Sequence, residues 1–234
     1  MTDYELPPKP SNEIKTLRKI GYTLETSIAD IIDNSITAKS KNIKIEIPIS
    51  DQSESYISIT DDGVGMTKDE LLENMRLGCK DPYKNRAKGD LGRFGSGMKT
   101  ASFSQAKKLI VISKAKGKSI NAAIWDIERI EKENKWILAT LSGKELSKIK
   151  QLKINKHTLS GTQVLWLNID RYEKTGKDSQ FDLEQALIND IVGIKRSIAV
   201  LFHRFIKVEP EDKKDIKKIN ISLNDNKIKA IDPF

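Results

Sequence analysis

The sharpest amphipathic pattern in the chain runs from Thr23 to Ala38, TLETSIADIIDNSITA. At 100° per residue, Leu24, Ile28, Ile31, Ile32 and Ile36 share one side of a helix, and Asp30, Asp33, Asn34 and Thr37 share the other. Ahead of it, Ser11 is expected to cap a short helix that runs through Ile20 and stops at Gly21. After it the period drops to two: IKIEIPI over residues 43–49 and YISIT over residues 56–60 read as strands. Thr67 with Glu70 three residues on is a capping box for the next helix. From Arg76 to Ser96 no period survives, and an unpatterned stretch of that length inside a domain suits a lid, expected over residues 78–96. Beyond it the pattern predicts a helix start over Gly97–Gln105 and a short helix or turn over Gly143–Ile149. Strands are predicted over Leu109–Ser113, Ile120–Ile127, Trp136–Leu141 and Thr162–Ile169, and a long helix over Phe181–Ile206, broken near Gly193. The tail, KINISLNDNKIKAIDPF, reads as a strand, an Asn-Asp-Asn turn and a second short strand. Helices and strands interleave without strict alternation. That predicts an α+β sandwich, with helices on one face of a mixed sheet.

The 234 residues suffice for one large domain, and 38% of them are hydrophobic. The formal net charge of +8 permits contact with nucleic acid or polyphosphate, but the basic residues are scattered among acids without a long basic run. The single cysteine, Cys79, excludes an internal disulfide and fits a reducing compartment. Neither His157 nor His203 stands in a metal-ligand spacing. The opening MTDYELPPKPSN has no apolar signal region, and no apolar run approaches the roughly 20 residues that span a bilayer. The expectation is a cytoplasmic protein with no membrane partner. Residues 1–10, rich in proline, are expected to form an extended arm.

Four spaced pieces carry the candidate chemistry. Asp30 and Asn34 are one helical turn apart, so a carboxylate lies beside an amide, a pair that suits Mg²⁺ or the positioning of a water. The alternative is the solvated face of an ordinary helix. At the end of the second strand, Asp61-Asp62-Gly63-Val64-Gly65 offers either a tight turn or a carboxylate that accepts from an exocyclic amine such as adenine's. Gly92-Arg93-Phe94-Gly95-Ser96-Gly97-Met98-Lys99-Thr100 places glycines before a helix N-terminus, where backbone N–H groups bind phosphate or a lid hinges. It fails as a P-loop because Met98 separates Gly97 from Lys99. Gly161-Thr162 opens a strand.

In that order the four pieces resemble the GHKL ATPase superfamily of gyrase B subunits, MutL, MORC proteins, Hsp-class chaperones and histidine kinases, and most of all its MutL and MORC branch. The resemblance covers residues 11–206 and implies a Bergerat-type two-layer sandwich that binds ATP and Mg²⁺. It further implies that Asp30 stands where the family has a water-activating Glu, that Asn34 holds the metal and that Asp61 recognises adenine with help from Thr162. Gly63, Gly65 and Met66 would line the base pocket, and Gly95, Ser96, Gly97, Met98 and Lys99 would wrap the phosphates. Asp30 departs from the family by one methylene, so slow turnover is expected, with a regulatory nucleotide switch as the alternative. Residues 207–234 resemble the entry to a transducer domain of a longer protein. The family's partners would be a second copy of the chain, joined in an ATP-gated homodimer, and DNA or another protein reached through downstream domains.

Overall fold

The computed structural model describes residues 2–48, 55–78, 97–169, 179–207 and 218–233. The strands are β1 (Asn42–Glu46), β2 (Tyr56–Asp61), β3 (Lys108–Lys114), β4 (Ile120–Asp126), β5 (Leu138–Thr140), β6 (Gly161–Leu167), β7 (Asn220–Leu223) and β8 (Asn226–Lys227). They form one sheet in the order β5-β4-β3-β6-β2-β1-β7-β8. β1 and β7 pair in parallel, and the other neighbours are antiparallel. The sheet is therefore mixed and the class is α+β.

Strand alternation divides the apolar residues between two faces. Ile43 and Ile45, Ile57 and Ile59, Leu109 and Val111, and Val164 and Trp166 join the main core. The helices α1 (Pro10–Arg18), α2 (Leu24–Thr37), α3 (Lys68–Met75), α4 (Gly97–Gln105), α5 (Ile127–Glu133), α7 (Ser179–Leu201) and α8 (His203–Ile206) supply the other half of that core. Ile14, Leu24, Ile28, Ile31, Ile32 and Phe103 are among the helical side chains buried there. The alternate strand residues Ile110, Ile112, Ala122 and Leu165 face the other way. They are covered by Leu146 of α6 (Gly143–Leu146) and by Ile154.

Several boundaries differ from the sequence reading. The first helix begins at Pro10, not behind a Ser11 cap: Lys9 occupies the cap position with no side-chain bond, and proline at the first position already has a helical φ and no N–H to satisfy. α7 runs through Gly193 unbroken and ends at Leu201. Gly193 produces no kink; a β-carbon there would meet only the end of the Glu25 side chain, with Oε1 at 2.9 Å. The tail hairpin turns on two residues, Asn224 and Asp225, both at positive φ, as a type I′ turn requires. Its first strand lies beside β1 in the same sheet. α5 was absent from the sequence reading. It has only Ile127 and Ile130 as buried positions, and it starts because the Asp126 side chain caps Arg129 N–H. The expected lid falls on residues outside the described ones, apart from Gly78.

Candidate functional site

Three neighbouring strands end at one corner of the sheet on the helix side. Period two carries Asp61 to the face already occupied by Ile57 and Ile59. The register sets Thr162 opposite Asp61 and Ser113 opposite Thr162. The Ser113 and Thr162 hydroxyls lie 2.8 Å apart, and Met66 N–H donates to Ser113 Oγ at 2.8 Å. Asp61 is only 9% exposed. Ser35 Oγ on α2 donates to its Oδ2 at 3.0 Å, and Gly63 N–H donates to its Oδ1 at 2.8 Å. Burial pushes the Asp61 carboxyl up to about 6, while hydrogen bonds from Gly63, Ser35 and Thr162 work against that rise.

Asp62, next in the chain, has a different task. Its Oδ1 accepts from Lys41 N–H and Asn42 N–H at 2.7 and 2.8 Å, and its Oδ2 accepts from Asn42 Nδ2 at 2.6 Å. Burial would raise its carboxyl, but the Asn42 and Lys41 donors outweigh it and hold the group below its ordinary value. One aspartate thus locks the start of β1 and the other faces the site.

Two glycines make this corner possible. Gly65 has φ +67°, and a β-carbon there would lie 1.9 Å from the Lys114 carbonyl oxygen. Gly161 has φ +149°, and a β-carbon there would lie 2.2 Å from the Asp61 carbonyl oxygen. The 62–66 turn and the start of β6 can therefore close onto the ends of β3 and β2.

The second half of the site lies along α2. Thr23 caps the helix by accepting from Thr26 N–H, and its apolar side is buried as the periodicity predicts, except that Ile36 is only half-buried. On the polar side, Asn34 Nδ2 donates to the Asp30 carbonyl at 2.8 Å, which leaves the amide oxygen for a ligand. Burial raises the Asp30 carboxyl, and a hydrogen bond from the Tyr22 hydroxyl opposes the rise. Burial and then the Asp30 charge push Asp33 up to about 6. Neither carboxylate forms an ion pair with a described residue. Two coupled carboxylates beside an exposed amide oxygen fit a hard cation that keeps water and phosphate oxygens in its shell. Among the described residues no group of three or more His, Cys, Asp or Glu is placed to hold a metal unaided.

α4 meets α2 at both ends. Its first residue, Gly97, stands where a β-carbon would be 3.2 Å from Asp30 Oδ2, so the helix N-terminus lies against the carboxylate. At its other end, buried Gln105 donates to the Tyr22 carbonyl at 3.1 Å and to Ser27 Oγ at 3.0 Å. The remaining residues of the glycine-rich stretch divide. Met98 packs against the main core. Lys99 is 1% exposed and its Nζ donates to the Asn74 carbonyl at 2.6 Å, at the C-terminal end of α3. Gly95 and Ser96 lie outside the described residues. The structure thus brings Asp61, Gly63, Gly65, Met66 and Thr162 into one corner, and Asp30, Asn34 and Gly97 into another, with α2 joining the two. Ser35, Ser113 and Tyr22 were missed in the sequence. Ser35 could have been found, since it sits one turn beyond Ile31 at the border of the buried face.

Among the described residues no helix is long and apolar enough to cross a membrane. A family model described as "Histidine kinase-, DNA gyrase B-, and HSP90-like ATPase" matches residues 22–162, which is more than half of the chain and runs from Tyr22 to Thr162. The chain is 28% identical over 120 residues to the ATPase morc-1 of Caenorhabditis elegans, covering 49% of this chain and 13% of that protein. It is 31% identical over 156 residues to the chaperone protein HtpG of Rickettsia canadensis, covering 62% of this chain and 23% of that protein. To the chaperone protein HtpG of Bacillus velezensis it is 33% identical over 126 residues, covering 50% and 19%. The chain therefore spans less than a quarter of the length of these relatives.

Proposed function

Because the chain belongs to the histidine kinase-, DNA gyrase B- and HSP90-like ATPase family, we propose that it binds Mg·ATP along α2 and hydrolyses it slowly to ADP and phosphate. The observation that carries this reading is the buried carboxylate of Asp61, held by Ser35 and Gly63 at a glycine-walled corner. A buried acceptor of that kind pairs with the exocyclic amine of adenine, and the Thr162 hydroxyl stands next to it in register. Gly63, Gly65 and Met66 form the rest of the base pocket. The phosphates then extend along α2 towards Gly97, where the N-terminus of α4 supplies N–H groups. Bound Mg²⁺ would neutralise phosphate charge, with the Asn34 amide oxygen as its protein ligand. Asp30, beside Gly97, takes the proton of the attacking water. Gly95 and Ser96 complete the phosphate contacts in this proposal. Lys99 and Met98 support them from within, since the Lys99 ammonium is engaged at α3.

ATP binding would also join two copies of the chain, with the arm of residues 1–10 contributing and residues 207–234 leading into a transducer-like domain. Other domains of the whole protein would reach DNA or a protein partner. The alternative is a nucleotide switch with little turnover, supported by the short reach of Asp30. Steady-state phosphate release decides between the two. Asp30→Asn should lose about 10²- to 10⁴-fold in rate while a non-hydrolysable analogue still binds. Equal rates in the two proteins would remove Asp30 from the chemistry and leave the switch.

A further inference from the structure

The basic residues, scattered in the sequence, are gathered by the fold. Two segments, 114–118 (KAKGK) and 144–157 (KELSKIKQLKINKH), hold eight of the chain's 41 Lys and Arg and one of its 33 Asp and Glu. They carry nearly the whole net charge of +8, and the rest of the chain is close to neutral in sum. The structure sets them side by side. Lys114 Nζ donates to the Lys156 carbonyl at 2.8 Å, which ties the β3–β4 turn to the 155–158 turn. Leu146, Ile149, Leu152 and Ile154 pack down onto Ile110, Ile112 and Leu165 on the sheet face away from the helices. Gln163, fully buried in β6, fixes the segment by accepting from Lys153 N–H at 2.9 Å and donating to the Gln151 carbonyl at 2.7 Å. With the apolar residues turned inward, the lysines project outward. Lys116, Lys118, Lys144, Lys150 and Lys156 are exposed and ion-pair with no described residue. Lys148, also exposed, interacts electrostatically with Glu145, and Lys153 ion-pairs with Glu46 at 2.8 Å.

We propose that this second face of the sheet is a docking surface for duplex nucleic acid, held by its phosphate backbone. Concentrated positive charge with few acids among it selects a polyanion. The two segments contain no Phe, Tyr or Trp and only one imidazole, His157, so they offer no extended stacking platform for single-stranded bases. They contain no arginine either, so the surface carries point charges suited to phosphate rather than forks suited to base edges or to the centre of a protein interface. Binding is therefore independent of sequence and steeply dependent on salt. The face is distinct from the nucleotide site, which opens on the helix side.

Fluorescence anisotropy of a labelled random-sequence duplex with the full chain, over a salt series, tests this. Lys116→Glu/Lys148→Glu/Lys150→Glu should weaken binding by roughly 100-fold at 150 mM salt and flatten the log–log salt slope by about three. These side chains are exposed, so the melting temperature should hold. Lys195→Glu/Lys227→Glu/Lys229→Glu makes the same change in net charge on other exposed positions and should weaken binding far less. Equal losses in the two triple variants, or unchanged binding in the first, would overturn the proposal. Tighter binding of a single strand, or of polyglutamate, than of a duplex of equal charge would overturn it too.

Discussion

Ser35 Oγ lies 3.0 Å from Asp61 Oδ2, so a hydroxyl on α2 reaches across the helix–sheet boundary to a carboxylate at the end of β2. Both residues are buried. The contact joins the helix that carries Asp30 and Asn34 to the strand that carries Asp61, the group proposed to read adenine. A shift in one is felt in the other.

Ser35→Ala tests that connection. A hydrogen bond to a charged group contributes about 1.5–3 kcal/mol, and its loss leaves the Asp61 carboxylate with fewer donors. Urea unfolding should show the variant destabilised by about that amount at pH 7.5, where Asp61 is ionised. The deficit should shrink at pH 4.5, where the folded protein holds Asp61 protonated. A deficit that does not change with pH would place the Ser35 contribution elsewhere, for instance in its bond to the Ile31 carbonyl.

Asp61 also sets two opposed pH dependences. Its folded-state pKa, about 6, is above the ordinary carboxylate value of 3.8, so between these two the folded protein binds a proton that the unfolded chain has released. Stability from this group therefore falls as pH rises from about 4 to about 6. Adenine recognition needs the ionised acceptor and moves the other way: affinity should drop about tenfold from pH 7.5 to pH 5. Calorimetric titrations at both pH values, compared with Asp61→Asn, isolate the group from Asp33. A wild-type affinity that tracks the variant's pH dependence would mean that Asp61 does not titrate in the binding step.

Gly65 and Gly117 have nearly the same φ, +67° and +70°, but only Gly65 has a neighbour where a β-carbon would go. Gly117→Ala should cost the strain of a left-handed residue alone, about 1–2 kcal/mol. Gly65→Ala adds a collision with the Lys114 carbonyl, which is backbone and cannot yield, so it should cost distinctly more and impair nucleotide binding. Equal unfolding free energies for the two variants would contradict the close approach.

Much of this was legible in the sequence because the signals were local. Ile28, Ile31 and Ile32 fix the buried side of α2, and therefore the polar side that holds Asp30 and Asn34. Thr67 and Glu70 fix the start of α3, and both capping contacts form. What was not legible depends on register between distant strands. Ser113 gains its place only because β3 pairs with β6 across 48 residues of sequence. The family resemblance implies that Lys99 is a phosphate ligand, and only the folded chain shows its ammonium at the Asn74 carbonyl on α3. The lysine face escaped notice for the same reason: its two halves lie apart in the chain and meet at Lys114 and Lys156.

We propose that Asp61 reads adenine in a Mg-dependent nucleotide site. Calorimetry with a non-hydrolysable ATP analogue tests it most directly, in the presence and absence of Mg²⁺, on the wild type and on Asp61→Asn. The wild type should bind the adenine analogue with Mg²⁺ and discriminate against the guanine analogue. Asp61→Asn should lose at least tenfold, since an amide puts a donor where the amine needs an acceptor. Equal affinity of the two proteins for the adenine analogue would contradict a role for Asp61 in reading the base.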